Sequence, residues 1–153
     1  MTSNKPHIID LPKVTDPRGN LSFIQNGDQI PFDIQRVYWI YDVPQSEKRG
    51  FHASTSCYEY LIAVSGEVNV VLEDEQGRKS YILKGKDRGL LVPPYTWIEL
   101  TNFSENAVLM VLASDHYNVE TYINDYATFK SAISERLKSW TKGFLYCAIV
   151  QNA

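Results

Sequence analysis

His52 is the residue in this chain best suited to moving a proton, because a histidine's ordinary pKa lies near neutrality and its imidazole serves as base or acid. It stands in the stretch Arg49-Gly-Phe-His-Ala-Ser-Thr-Ser-Cys-Tyr-Glu59, with Gly66 beyond. Residues two apart in a strand share a face, so Ser54 is expected to point the way His52 points. Glu59 lies on the following segment, where a closed sheet brings it near. A mononuclear metal wants three or four N or O ligands. His52 and Glu59 supply two and Ser54 is a poor third, so no metal is expected. The bland alternative is a structural histidine held by one backbone contact.

Other groups could assist such a base. Tyr38 and Ile40 share one face of a strand, with Val37, Trp39 and Tyr41 on the other, and Tyr38 can donate to a substrate oxygen. Arg18 sits in Asp16-Pro-Arg-Gly-Asn20, a turn by its Pro and Gly, where its cation either meets solvent or aims at a phosphate or a developing enolate. Arg36, Lys48, Arg49 and Arg88 are cations near strand ends, each read singly as surface charge. Tyr95 and Trp97 lie beside the Pro93-Pro94 turn and either stack on a nucleobase or close the end of a barrel.

The elements that must position these residues are mostly strands up to about residue 114. Gln35 to Tyr41, Tyr58 to Val64, Val68 to Glu73, Ser80 to Leu83, Gly89 to Val92, Trp97 to Thr101 and Ala107 to Ala113 are rich in β-branched and aromatic residues. Turn signals such as Ser65-Gly66, Asp74-Glu-Gln-Gly77 and Lys84-Gly-Lys-Asp87 separate them. Many short strands predict a mainly β fold: a sandwich, barrel or jelly roll. From about Val119 the period changes. Tyr122, Tyr126, Phe129, Ile133 and Leu137 mark one face of a helix over about 119–138. The apolar run 143–150 reads as an added strand or a partner-covered tail. The whole is expected to be one domain, with the barrel over about 8–114.

Composition excludes several classes. A net charge of −3 and the lack of a long Lys/Arg run argue against coating a nucleic acid, though local cations can still hold a small phosphorylated ligand. Ten tyrosines suit pocket walls and interfaces. Cys57 and Cys147 have no metal-type spacing and read as reduced thiols. With no apolar leader segment and no 18-residue apolar run, the expected location is the cytoplasm.

His52, Ser54, Glu59 and Gly66 keep the frame of a cupin metal motif, with serine at the second histidine. Pro93 and Asn102 keep the frame of a second cupin motif, with Tyr95 at its glycine and Ile98 at its histidine. More narrowly, the chain resembles the cupin 3,4-ketoisomerases that act on dTDP-4-keto-6-deoxyglucose. The matching stretches are Asp16-Pro-Arg-Gly-Asn20, Pro31-Phe-Asp-Ile-Gln-Arg-Val-Tyr38, Arg49-Gly-Phe-His-Ala53, Gly89-Leu-Leu-Val-Pro-Pro94, Ala107-Val-Leu-Met-Val-Leu-Ala-Ser-Asp115 and Tyr122-Ile-Asn-Asp-Tyr126. Together they cover about residues 8–130. The resemblance implies a jelly-roll barrel, a homodimer able to exchange N-terminal strands, no cofactor or metal, and a dTDP-linked keto-deoxyhexose substrate. The family reaction moves the sugar carbonyl from C4 to C3 through an enediol, toward amino sugars of surface glycans.

That reading makes His52, Tyr38 and Ser54 the catalytic candidates, with Ser54 and Ile98 standing where relatives carry histidine. Arg18, Arg49, Glu59, Trp97 and Glu99 are the substrate-binding candidates. The alternative is a non-catalytic sugar-nucleotide binder or partner subunit of the same fold, since serine has little basicity unless another base activates it.

Overall fold

The computed structural model describes residues 4–150, with side chains of the C-terminal helix described up to Ser139. Two five-stranded antiparallel sheets lie face to face in a jelly roll, and one helix packs across the outer side of the second sheet. The strands are β1 (His7–Asp10), β2 (Lys13–Asp16), β3 (Gly19–Ser22), β4 (Arg36–Tyr41), β5 (Arg49–Ser54) and β6 (Glu59–Ser65). They continue as β7 (Glu67–Asp74), β8 (Gly77–Lys84), β9 (Arg88–Val92), β10 (Trp97–Thr101), β11 (Val108–Ala113) and β12 (Tyr122–Ile123). The first sheet runs β1-β9-β6-β11-β4, the second β12-β5-β10-β7-β8, and β2 pairs only with β3.

The alternation of side chains along each strand decides which cluster it feeds. Leu61, Ala63, Val68, Val70, Leu72, Leu90, Ile98, Leu109 and Val111 fill the space between the sheets. A buried leucine contributes about 1.5–3 kcal/mol, so this cluster alone accounts for much of the cohesion between the sheets. The other face of β6 is buried as well. Tyr60 and Ile62 meet Leu11, Ile30, Leu91 and Leu112, covered by Ile24, Phe32 and Ile34 from the segment before β4. Hence β6 has five consecutive buried residues rather than an alternating pattern.

Two glycines are required by close approach. Gly66 has φ +64°, and a Cβ there would lie 2.8 Å from the Ala107 Cα. Gly50 has φ +85°, and its Cβ would lie 2.6 Å from the Ile98 carbonyl oxygen. Phe51 follows at φ 59°, and the β5–β10 register shifts between Ile98 and Glu99. This is a bulge, which re-aims the strand just before His52.

The expected helix over about 119–138 is corrected in both directions. Val119–Thr121 is a single 3₁₀ turn capped by the Asn118 side chain, and β12 pairs with Ser54 and Ala53 of β5. The helix α1 spans Tyr126–Val150 and starts where Asp125 accepts from the Thr128 amide at 2.7 Å. Helical spacing from Tyr122 is therefore coincidental at its first member, because strand pairing claims Tyr122. Phe129 and Ile133 do bury themselves, against Trp97 and Ala53, while Leu137 stays 45% exposed. The apolar run 143–150 continues this helix, and what its side chains touch lies outside the described residues. Among the described residues no helix is long and apolar enough to cross a membrane.

Candidate active site

Strands β4, β5 and β12 and the loop before β12 enclose a cavity of about 490 Å³, lined by Arg36, Tyr38, His52, Tyr117, Val119, Tyr122 and Asn124. This lies within the size range of small-molecule sites. Alternation along β4 points Arg36 and Tyr38 inward together, because they are two apart. His52 enters from β5, where its cross-strand partner is Ile98, and Ile98 belongs to the core cluster between the sheets. Tyr122 meets the His52 ring edge-on, with centroids 5.1 Å apart.

Beneath the cavity lies Glu59, 6% exposed on β6. The Tyr38 hydroxyl donates to Glu59 Oε1 at 2.9 Å. Arg36 Nη2 stands 3.9 Å from the same oxygen and donates to the Tyr122 hydroxyl at 3.0 Å. The Arg36 guanidinium also lies over the rings of Tyr38 and Tyr117, 5.1 and 5.5 Å from their centroids. Burial pushes the Glu59 carboxyl above the usual carboxylate range, against the opposing pull of Tyr38, His52 and Arg36. Burial and the neighbouring Glu59 charge push the Tyr38 phenol up as well, so this hydroxyl keeps its proton. The cavity thus holds an imidazole, a phenol backed by a buried carboxyl, and a cation between aromatic rings.

The remaining candidates are elsewhere. Ser54 is 8% exposed, and its Oγ accepts from the amides of Cys57 at 3.0 Å and Ser56 at 3.4 Å. It braces the turn leaving β5 rather than presenting a free hydroxyl beside His52. Trp97 and Glu99 flank Ile98 and so face the opposite side of β10, toward α1. The Trp97 ring packs on Tyr126 and Phe129, with centroids 5.2 and 5.5 Å away, and its Nε1 donates to Glu99 at 3.1 Å. Glu99 is also engaged by Arg78. Neither lines the cavity, and no face of Trp97 is open to a nucleobase.

Arg49 opens β5 as an exposed residue across from Leu100. Arg18 lies on the β2–β3 hairpin, held to Asp16 by a 2.6 Å ion pair with its own side chain 90% exposed. In this chain Arg18 does not reach the cavity. Tyr95, at the frame's glycine position, keeps the left-handed backbone a glycine would adopt, with φ 58°. Its amide donates to the Ser54 carbonyl at 2.7 Å, and Arg136 covers its ring at 4.1 Å, so it closes the barrel end. Among the described residues no three His, Cys, Asp or Glu side chains gather as a metal group requires.

Sequence reasoning missed Arg36, Tyr117, Val119, Tyr122 and Asn124 as cavity residues. For Arg36 a signal was present: extending the Tyr38–Ile40 face two residues back reaches it. Tyr117 and Asn124 sit on irregular segments whose course no periodicity announces.

The sequence profile of the family described as "FdtA: WxcM-like, C-terminal" matches residues 4–134. The chain is 39% identical over 128 residues to the TDP-4-oxo-6-deoxy-alpha-D-glucose-3,4-oxoisomerase of Aneurinibacillus thermoaerophilus, covering 84% of this chain and 92% of that protein. Among solved structures it is similar to a 3,4-ketoisomerase from Helicobacter canadensis, with a TM-score of 0.81 and 39% identity over 84% of this chain and 97% of that one. It is similar also to QdtA, a sugar 3,4-ketoisomerase from Thermoanaerobacterium thermosaccharolyticum in complex with TDP, with a TM-score of 0.84 and 33% identity over 89% and 98% of the two chains. With the family profile spanning most of its length and the barrel superposing on these enzymes, the chain belongs to the FdtA family of WxcM-like C-terminal domains.

Proposed function

We propose that this protein is a TDP-sugar 3,4-ketoisomerase that moves the carbonyl of a TDP-4-keto-6-deoxyhexose from C4 to C3 through an enediol. The observation that carries this reading is His52 on the wall of a ligand-sized cavity with Tyr38 and Arg36, in a chain 39% identical to such an enzyme. His52 is the base: it takes the C3 proton and returns it to the adjacent C4. One imidazole suffices if it reaches both carbons, since the proton leaves and returns on one side. Tyr38 hydrogen-bonds a sugar oxygen, and Arg36 places positive charge where the enediolate develops. The reaction is redox-neutral, and every step is a proton transfer that these side chains can perform.

The protein is read as a homodimer that exchanges N-terminal strands. Two observations support this. The outer side of β4 exposes Val37, Trp39 and Tyr41, at 45%, 60% and 56%. The β2–β3 hairpin carries exposed Val14 and Leu21 and, among the described residues, pairs with no other strand. In such a dimer Arg18 would reach the partner's cavity and meet the substrate there. The cytoplasm, where sugar nucleotides are made, is the proposed location.

The test is NMR of the wild-type protein with TDP-4-keto-6-deoxyglucose in D₂O. A 3-keto product with label entering the sugar is expected. His52→Asn is expected to abolish this while TDP binding, measured by calorimetry, stays near the wild-type value. A wild type that binds TDP yet neither converts the sugar nor exchanges its protons overturns the reading in favour of a non-catalytic binder.

A further inference from the structure

Among the described residues two carboxylates are buried, and the fold treats them differently. Glu73 is 5% exposed and receives Lys130 Nζ at 2.7 Å, the Tyr126 hydroxyl at 2.8 Å and Arg78 Nη1 at 3.4 Å. Burial alone would raise its pKa, but these partners hold it below the usual range. A buried anion compensated in this way is a structural group. Glu59 is equally buried, yet among the described residues its one hydrogen bond comes from Tyr38, and its nearest cation, Arg36, stands 3.9 Å off. A glutamine would fill this position without the cost of burying an acid. The acid is therefore out of place as architecture, and the group between it and the cavity is the Tyr38 hydroxyl.

Isomerisation needs this pairing. Moving hydrogen from C3 to C4 is half of the reaction; the other half moves a proton from the oxygen on C3 to the oxygen on C4. His52 serves the carbons and cannot at the same moment serve the oxygens. Among the described residues this wall holds no second imidazole, since Ile98 occupies the cross-strand place beside His52 and the Ser54 Oγ is held by backbone amides.

We propose that Tyr38 and Glu59 form a proton relay for the substrate oxygens, separate from the carbon-side base. This rests on the ketoisomerase reading above. In the first half, the C3–H bond breaks, its proton goes to His52 and its electron pair becomes the C3=C4 bond. The carbonyl π pair on the C4 oxygen takes the Tyr38 proton, and the Glu59 carboxyl proton replaces it on Tyr38. In the second half, the C3=C4 pair takes the proton from His52 at C4. The O–H bond on the C3 oxygen breaks to form the new carbonyl, its proton passes to Tyr38, and Tyr38 returns one to Glu59. Nothing is consumed, and all three side chains end as they began.

The raised Glu59 carboxyl fits this role, because the relay must start protonated. The titratable and charged groups facing it are Arg36 and Tyr38 from β4, His52 from β5, Cys57 just before β6 and Tyr122 from β12. Burial is the largest influence and raises the carboxyl, against the Tyr38 hydrogen bond, His52 in its charged form and Arg36, which all favour the anion.

The experiment compares Glu59→Gln with wild type, once wild-type turnover and its loss in His52→Asn are established. Glutamine keeps the shape and still accepts from Tyr38 but carries no transferable acid. The expected result is a fall in kcat of about 10²-fold, within the range for a lost acid–base group, with TDP affinity retained. The alkaline limb of the kcat profile, where Glu59 gives up its proton, should vanish in the variant. Tyr38→Phe should fall by a similar factor, and adding Glu59→Gln to it should lower kcat no further. If Glu59→Gln does not fold, Tyr38→Phe alone decides: wild-type kcat overturns the relay. An active wild type together with a Glu59→Gln of unchanged kcat and pH profile overturns the relay while leaving the ketoisomerase reading in place.

Discussion

His52 and Ile98 face each other across the β5–β10 ladder, the imidazole toward the cavity and the isoleucine within the core. The bulge at Gly50 and Phe51 sits immediately before this pair, so the aim of His52 depends on backbone geometry as well as on packing. Ile98 is a wall and not a chemical partner. Replacing it with alanine removes buried methyl and methylene groups and leaves a void. Ile98→Ala should destabilise the protein by about 2–5 kcal/mol in urea unfolding, the usual cost of such a truncation. Turnover per folded molecule should persist. Stability close to wild type would mean that Ile98 does not pack as described.

Ser54 offers a complementary case. Its Oγ accepts from the Cys57 and Ser56 amides, which makes it a turn brace. Ser54→Ala should therefore lower stability by about 0.5–1.5 kcal/mol, the net worth of such a hydrogen bond, and leave kcat and its pH profile intact. A collapse of kcat without a change in melting temperature would return Ser54 to the proton-transfer chemistry.

Glu59 and Glu73 should titrate with opposite effects on stability. Glu73 is held below its unfolded pKa, so its contribution is present above that value and is lost as pH falls through the folded one. Glu59 is raised, so its contribution is complete below the unfolded pKa and is lost as pH rises through the folded one. Unfolding free energy measured against pH should thus decline on both sides. Glu73→Gln should flatten the low-pH side and Glu59→Gln the decline on the higher-pH side. An unchanged slope in the matching variant refutes the assignment for that residue.

Much of the fold was legible in the sequence because strand periodicity is local. Arg36–Tyr41 and Val108–Ala113 announce themselves by β-branched and aromatic runs between turn residues. What failed needed long-range information. Tyr122 has helical spacing to Tyr126, yet pairing with Ser54 makes it a strand residue. Trp97 and Glu99 stand beside Ile98, and one residue of register puts them on the other face of β10, Trp97 under α1 and Glu99 with Arg78, rather than in the cavity. His52 and Tyr38 were readable as chemistry from residue type and strand face. Arg36 shares that strand face, two residues before Tyr38, but its residue type alone does not say whether a strand-end arginine meets solvent or the aromatic rings around a cavity.

The outer face of β4 carries the last prediction. Val37, Trp39 and Tyr41 alternate with the inward Arg36, Tyr38 and Ile40, so one six-residue strand builds the cavity wall and an apolar outer stripe. Contiguous exposed apolar surface on this scale marks an interaction site. If two copies cover it, light scattering should give twice the monomer mass for the wild type. Trp39→Glu, which places a charge in the stripe without touching the core, should shift the protein to monomer. Because Arg18 is read as reaching the partner's cavity, that monomer should also lose substrate affinity, although its own His52, Tyr38 and Glu59 remain in place. A wild type that is monomeric and fully active would remove both the dimer and the role given to Arg18.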